Sequence, residues 1–66
     1  MKLANVIAST KMHRDPAVDV DMKRTLAKNN CIFNWSEFIL SERHYYIFQD
    51  GSVLMYSDGR VRAVVM

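Results

Sequence analysis

Residues Tyr46 to Val53 and Leu54 to Val61 are two consecutive copies of one eight-residue pattern: three apolar or aromatic residues, a polar one, Asp-Gly, one more polar position and Val. An Asp-Gly pair between runs of strand-forming residues is a strong hairpin signal, because Gly accepts the positive φ of the turn and Asp tolerates it. The C-terminal part of the chain is therefore predicted to be a three-stranded antiparallel meander. Each Asp-Gly can close either a two-residue turn or a three-residue loop with a glycine bulge, and the choice moves the middle strand by one residue.

If both hairpins are of one type, the outer strands keep their phase whichever type it is. Tyr45, Ile47, Val61, Ala63 and Val65 then share one face, and Tyr46, Phe48, Arg60, Arg62 and Val64 share the other. Bulged turns add Val53 and Met55 to the first set and Leu54 and Tyr56 to the second, which gives the more uniformly apolar first face. That version is preferred, with the first face as the core. The opposite face, bearing Tyr46, Phe48, Tyr56, Arg60 and Arg62, is too apolar for an ordinary solvated sheet. Either the N-terminal half of the chain or a partner has to cover it.

At 66 residues the chain makes one small domain, short of buried surface, with half of its residues hydrophobic. Cys31 is the only cysteine, which excludes an internal disulfide and fits a reducing compartment. A dense core or pairing into a homodimer would make up for the small size. The formal charge of +2 permits contact with nucleic acid or an acidic protein without demanding either. Lys2 with Leu3 to Ala8 is too short, and too interrupted by Asn5, for a signal sequence. No run approaches a membrane span, so the expectation is a cytoplasmic protein with no membrane partner.

The N-terminal half is predicted to supply helices. Leu3 to Thr10 leans to a strand through its β-branched residues, although Leu3 and Ile7 also suit one face of a helix. Lys11, His13 and Arg14 form a basic connection and a secondary basic patch. Asp15 before Pro16 is a good helix opening, and the helix is predicted to run to about Lys28, with Asp19 and Lys23 paired one turn apart and Asn29-Asn30 supplying a left-handed end. Its apolar line is Val18, Met22 and Leu26. A second, shorter helix is signposted by a capping box, Asn34 with Glu37, and by a hydrophobic staple, Phe33 with Phe38. It should end near Glu42 or Arg43 and bury Trp35 between helix and sheet, while Cys31 and Ile32 could add a brief strand.

Catalytic chemistry finds little purchase. Cys31, His13 and His44 carry no nucleophile signature, no ligand cluster has metal-binding spacing, and no cofactor motif is present. Asp50 and Asp58 belong to turns at opposite ends of the sheet, too far apart for joint acid and base work. The chain is expected not to be an enzyme and to need no metal or cofactor. The expected architecture is α+β: one or two helices on a C-terminal meander, with an N-terminal strand as an optional addition.

Two functions fit. The first is a protein-binding inhibitor or adaptor that uses Tyr46, Phe48, Tyr56, Arg60 and Arg62, or the final strand Arg60 to Met66, against another protein. The second is a single-stranded nucleic-acid binder that stacks bases on the same rings, although no RNP-type aromatic motif is present. In size and simplicity the chain has the general look of a phage or mobile-element accessory protein that blocks a host factor, a likeness carried by no motif.

Overall fold

The computed structural model describes residues 1–64, so the expected place of Val65 on the core face lies outside the described residues. Two helices, α1 (Leu3–Ser9) and α2 (Pro16–Asn30), precede four strands, β1 (Cys31–Glu37), β2 (Arg43–Phe48), β3 (Val53–Ser57) and β4 (Arg60–Val64). The strands pair in chain order as one antiparallel sheet. This is the expected α+β architecture with one more strand than foreseen.

Helix α2 follows its local signals. Asp15 caps it by accepting from the Ala17 N–H at 2.9 Å, Pro16 opens it, and Asp19 pairs with Lys23 at 3.4 Å. The expected left-handed end at Asn29-Asn30 is absent. The helix continues through both residues and passes directly into extended backbone at Cys31, whose N–H bonds the Ala27 carbonyl.

Two expected elements are corrected. Leu3 to Thr10 is not a strand: Leu3–Ser9 is helical, and the reason lies outside the segment. Lys2 at its N-cap position offers no side-chain cap, but the Asp50 carboxylate accepts from the Leu3 N–H at 2.7 Å and the Ser52 hydroxyl accepts from the Ala4 N–H at 3.1 Å. Two N–H groups that a helix start leaves free are satisfied by the turn between β2 and β3. With Ala4 and Ile7 buried in the core, this tertiary support outweighs the β-branched preference of Val6 and Ile7.

The second helix expected from Asn34 does not form; its residues make β1 and the connection to β2. Phe33 and Trp35 project to one side at a spacing of two, and Trp35 pairs with Tyr45 across the strands, their rings stacked 4.7 Å apart. Cross-strand pairing on this scale overrides a capping box, which contributes only about 1 kcal/mol.

The two Asp-Gly turns differ in type. Between β2 and β3, the Phe48 N–H bonds the Ser52 carbonyl and the Gly51 N–H bonds the Phe48 carbonyl, leaving a three-residue loop with Gly51 at φ 84°. That is the bulged form. Between β3 and β4, Ser57 pairs with Arg60 across Asp58 (φ 51°) and Gly59 (φ 72°), a tight turn with both central residues left-handed. The phase therefore shifts once rather than twice, and β4 is turned over relative to expectation.

The core lies on the face formed by Tyr46, Phe48, Leu54, Val61 and Ala63, where Ala4 and Ile7 of α1 and Ala27 of α2 pack. Tyr45, Ile47, Val53 and Met55, the expected core set on β2 and β3, occupy the other side. Val61 and Ala63 were expected with them and instead join Tyr46 and Phe48.

Candidate functional site

The sheet face turned away from the helices consists of three cross-strand rows. Phe33, Ile47, Val53 and Val64 form an apolar row; Trp35, Tyr45, Met55 and Arg62 form the next; Glu37 with Arg43 and Ser57 with Arg60 form the third. Both helices pack their buried residues on the opposite side. At the centre of this face Val53 (2% exposed) and Met55 (8% exposed) are buried, with Ile47, Tyr45 and Trp35 half-buried around them. Phe33 is 59% exposed, and its ring lies 5.9 Å from that of Trp35, which extends the Trp35–Tyr45 stack along β1. Arg43, Arg60 and Arg62 are all exposed and, with Met55 and Ser57, help to line a cavity of about 800 Å³. The face thus grades from apolar at one end to cationic at the other.

The residues expected to form a single partner site are divided between the two sides. Tyr46 (6% exposed) and Phe48 (1% exposed) are core residues beneath the helices. Tyr56 is half-buried on the same side, where the Arg24 guanidinium lies 4.0 Å from its ring centroid. Arg60 and Arg62 are exposed on the open side. The tight β3–β4 turn causes the split, since it sets Met55 rather than Leu54 opposite Arg62. Trp35, expected to fill the core, stands half-buried on the open face. The basic connection is solvent-facing, with Lys11, His13 and Arg14 all exposed.

The open-face aromatics had a signal in the sequence. Phe33 and Trp35 alternate with polar Asn34 and Ser36, the period of a strand, and this competed with the capping box. The hairpin tip was missed as well: Phe38, Ile39 and Leu40 lie between β1 and β2, with Ile39 92% and Leu40 93% exposed. Phe38 turns to the helix side, where its ring meets that of His44 edge-on at 5.9 Å, while Ile39 and Leu40 line a hollow with Glu37 and Arg43 of the open face's charged row.

Electrostatics on the helix side serve structure. Asp50 takes its strongest support from the Leu3 N–H, with further bonds from the Ser52 hydroxyl and Ser52 N–H, and its carboxyl is held at about 2. The Met12 N–H, aided by Lys23, keeps the Asp19 carboxyl below its ordinary value and ties the α1–α2 connection to α2. Interaction with the Tyr46 side chain raises the Arg24 guanidinium above its usual pKa.

One arrangement has the residue types of nucleophilic catalysis. The Ser36 hydroxyl lies 2.7 Å from His44 Nδ1, and His44 Nε2 lies 2.7 Å from the Glu42 carboxylate. Ser36 sits within extended β1, where successive backbone N–H groups point to opposite sides and do not converge on one oxygen. The string ties the base of the β1–β2 hairpin together. Among the described residues, no group of three or more His, Cys, Asp or Glu side chains could hold a metal ion, and no helix is long and apolar enough to cross a membrane. Compared with protein-family models, curated proteins and solved structures, the chain matches none.

Proposed function

We propose that this protein is a small non-enzymatic binding module that acts as an inhibitor or adaptor by docking the open face of its sheet on another protein. The observation that carries this reading is the Phe33–Trp35–Tyr45 aromatic ladder on the side away from the helices, exposed at its Phe33 end and bordered by Arg43, Arg60 and Arg62. Aromatic residues and arginine are the types enriched at interface centres, and a rigid sheet presents them without an ordering cost. Trp35 and Tyr45 are the anchors, and the arginines would meet carboxylates at the rim. Of the residues first assigned to partner binding, Arg60 and Arg62 keep that role; Tyr46, Phe48 and Tyr56 act through the core. Edge strand β4 offers a second docking element by strand addition, since no strand pairs with its outer side among the described residues.

The test is capture of one stoichiometric partner by tagged protein, followed by the pair Trp35→Ala and Arg62→Ala. Each lies outside the core, so the fold should persist by circular dichroism while affinity for the partner drops. Truncating a true anchor costs about 2 kcal/mol or more, roughly thirtyfold in Kd. Capture that survives both changes overturns the proposal.

A second reading rests on the same stacked rings. Bases of single-stranded nucleic acid could stack on Trp35, Tyr45 and Phe33 while the three arginines contact phosphate. Its signature is affinity for short single-stranded oligonucleotides that falls steeply with salt; absence of binding at low salt eliminates it. The non-enzymatic reading has its own test: a fluorophosphonate probe should leave Ser36 unmodified, and covalent labelling at Ser36 would contradict it.

A further inference from the structure

Helix α2 is inside out. Its apolar line, Val18, Met22 and Leu26, recurs every fourth residue on the side away from the sheet, where these residues are 37%, 41% and 37% exposed. Toward the sheet it turns Ala27, which is fully buried, and Arg24, whose guanidinium covers Tyr56. A helix that packs on one side only normally shows the reverse polarity. Beside the apolar line runs a groove of about 350 Å³, lined by Met12, Val18, Met22, Thr25, Leu26 and Asn29, together with Asp21.

We infer that this ridge and groove receive α2 of a second copy of the chain, antiparallel, about a two-fold axis between Arg24 and Thr25. The charge pattern selects a copy of this chain as the occupant. Asp21 and Lys28, both exposed, stand on one flank of the apolar line seven residues apart, about 10 Å along the axis. An antiparallel two-fold at that point sets Asp21 of each copy opposite Lys28 of the other, twice, and keeps like charges apart. The same operation brings Leu26 of each copy into the groove beside Met22 of its partner. Opposed helix dipoles add to the match. Both patches are self-complementary, as an interface between identical subunits requires.

The area sets the strength. A contact confined to one helix of each copy falls below the about 800 Å² per partner of a standard stable interface, so the dimer should be weak and reversible. The open sheet face plays no part in it, which separates this inference from the binding role proposed above.

Sedimentation or light scattering of the full chain, in reducing buffer so that Cys31 cannot cross-link copies, should show mass rising from monomer to dimer between about 1 and 500 μM. Met22→Glu, on an exposed position, should keep the fold by circular dichroism and weaken association by roughly thirtyfold or more. Asp21→Lys alone and Lys28→Asp alone should each weaken it, and the double exchange should restore it to within about threefold of the parent. A chain that stays monomeric throughout the range overturns the inference. So does a dimer indifferent to Met22→Glu, a double exchange as weak as either single one, or a dimer dissolved by Tyr45→Ala with Arg62→Ala, which would place the contact on the sheet face.

Discussion

The two Asp-Gly turns share a dipeptide and do opposite things. After β2, Asp50-Gly51 closes a three-residue bulged loop in which Gly51 takes positive φ and Asp50 does not; after β3, Asp58 and Gly59 both take it in a tight turn. The surroundings of the acid account for the difference. Asp50 is followed after the glycine by Ser52, whose N–H and hydroxyl it binds while also capping α1. Asp58 is followed after the glycine by Arg60, which belongs to the strand ladder, and it occupies the left-handed position. One residue of loop length then decides which side every later residue faces. Had the second turn matched the first, Arg60 and Arg62 would point into the helices.

Changing which residue follows the first loop should have the largest effect. Deleting Ser52 keeps the three-residue loop but sets Val53 opposite Phe48, so β3 turns over against β2 and Leu54 and Tyr56 exchange sides with Val53 and Met55. The expected result is loss of the cooperative thermal transition and of near-ultraviolet dichroism; a sharp transition within a few degrees of the parent would show that the strand phase is not set at this turn. Next come the two faces that the turns define. Phe48→Ala, beneath the helices, should cost about 3–5 kcal/mol in denaturant unfolding. Trp35→Ala, on the open face, should cost clearly less, and equal losses would mean that the open face is also interior.

Smaller effects probe the turns themselves. Gly59→Ala meets open space around its new methyl group, so the positive φ alone should cost about 1 kcal/mol. The mildest contrast is electrostatic. Asp50→Asn should lower the melting temperature at neutral pH, whereas Asp58→Asn, which keeps a turn-tolerant side chain, should change it little. The Asp50 carboxyl has a folded-state pKa of about 2, below its ordinary 3.8, so its stabilisation is present above the ordinary value and is lost as pH falls through about 2. The gap between parent and Asp50→Asn should therefore close over that acidic range, and a gap that persists at pH 2 would contradict the role assigned to the carboxylate.

What was legible in the chain was what is local. Asp15-Pro16, the Asp19–Lys23 pair and the two hairpins were readable because each signal and its physical cause lie within a few residues. The phase of β2 with β3 was readable too. What failed depended on partners distant in sequence. Leu3–Ser9 is helical because residues 50 and 52 satisfy its first N–H groups, and Asn34 to Glu37 is extended because Tyr45 and its neighbours lie alongside. The site failed for a subtler reason. Its residue types are right, but identical dipeptides make different turns here, and the surroundings of each aspartate decide which. Arg60 and Arg62 consequently face Trp35 and Tyr45 rather than Tyr46 and Phe48.

The cap on α1 also orders events during synthesis. The carboxylate and hydroxyl that complete the first helix leave the ribosome more than forty residues after the helix itself. An isolated helix of seven residues is too short to persist in water. On a growing chain that segment must wait, unstructured, until the β2–β3 hairpin has emerged and closed. A chain halted anywhere before Asp50 would keep Leu3–Ser9 open to chaperones and proteases, which makes this turn the gate for that helix.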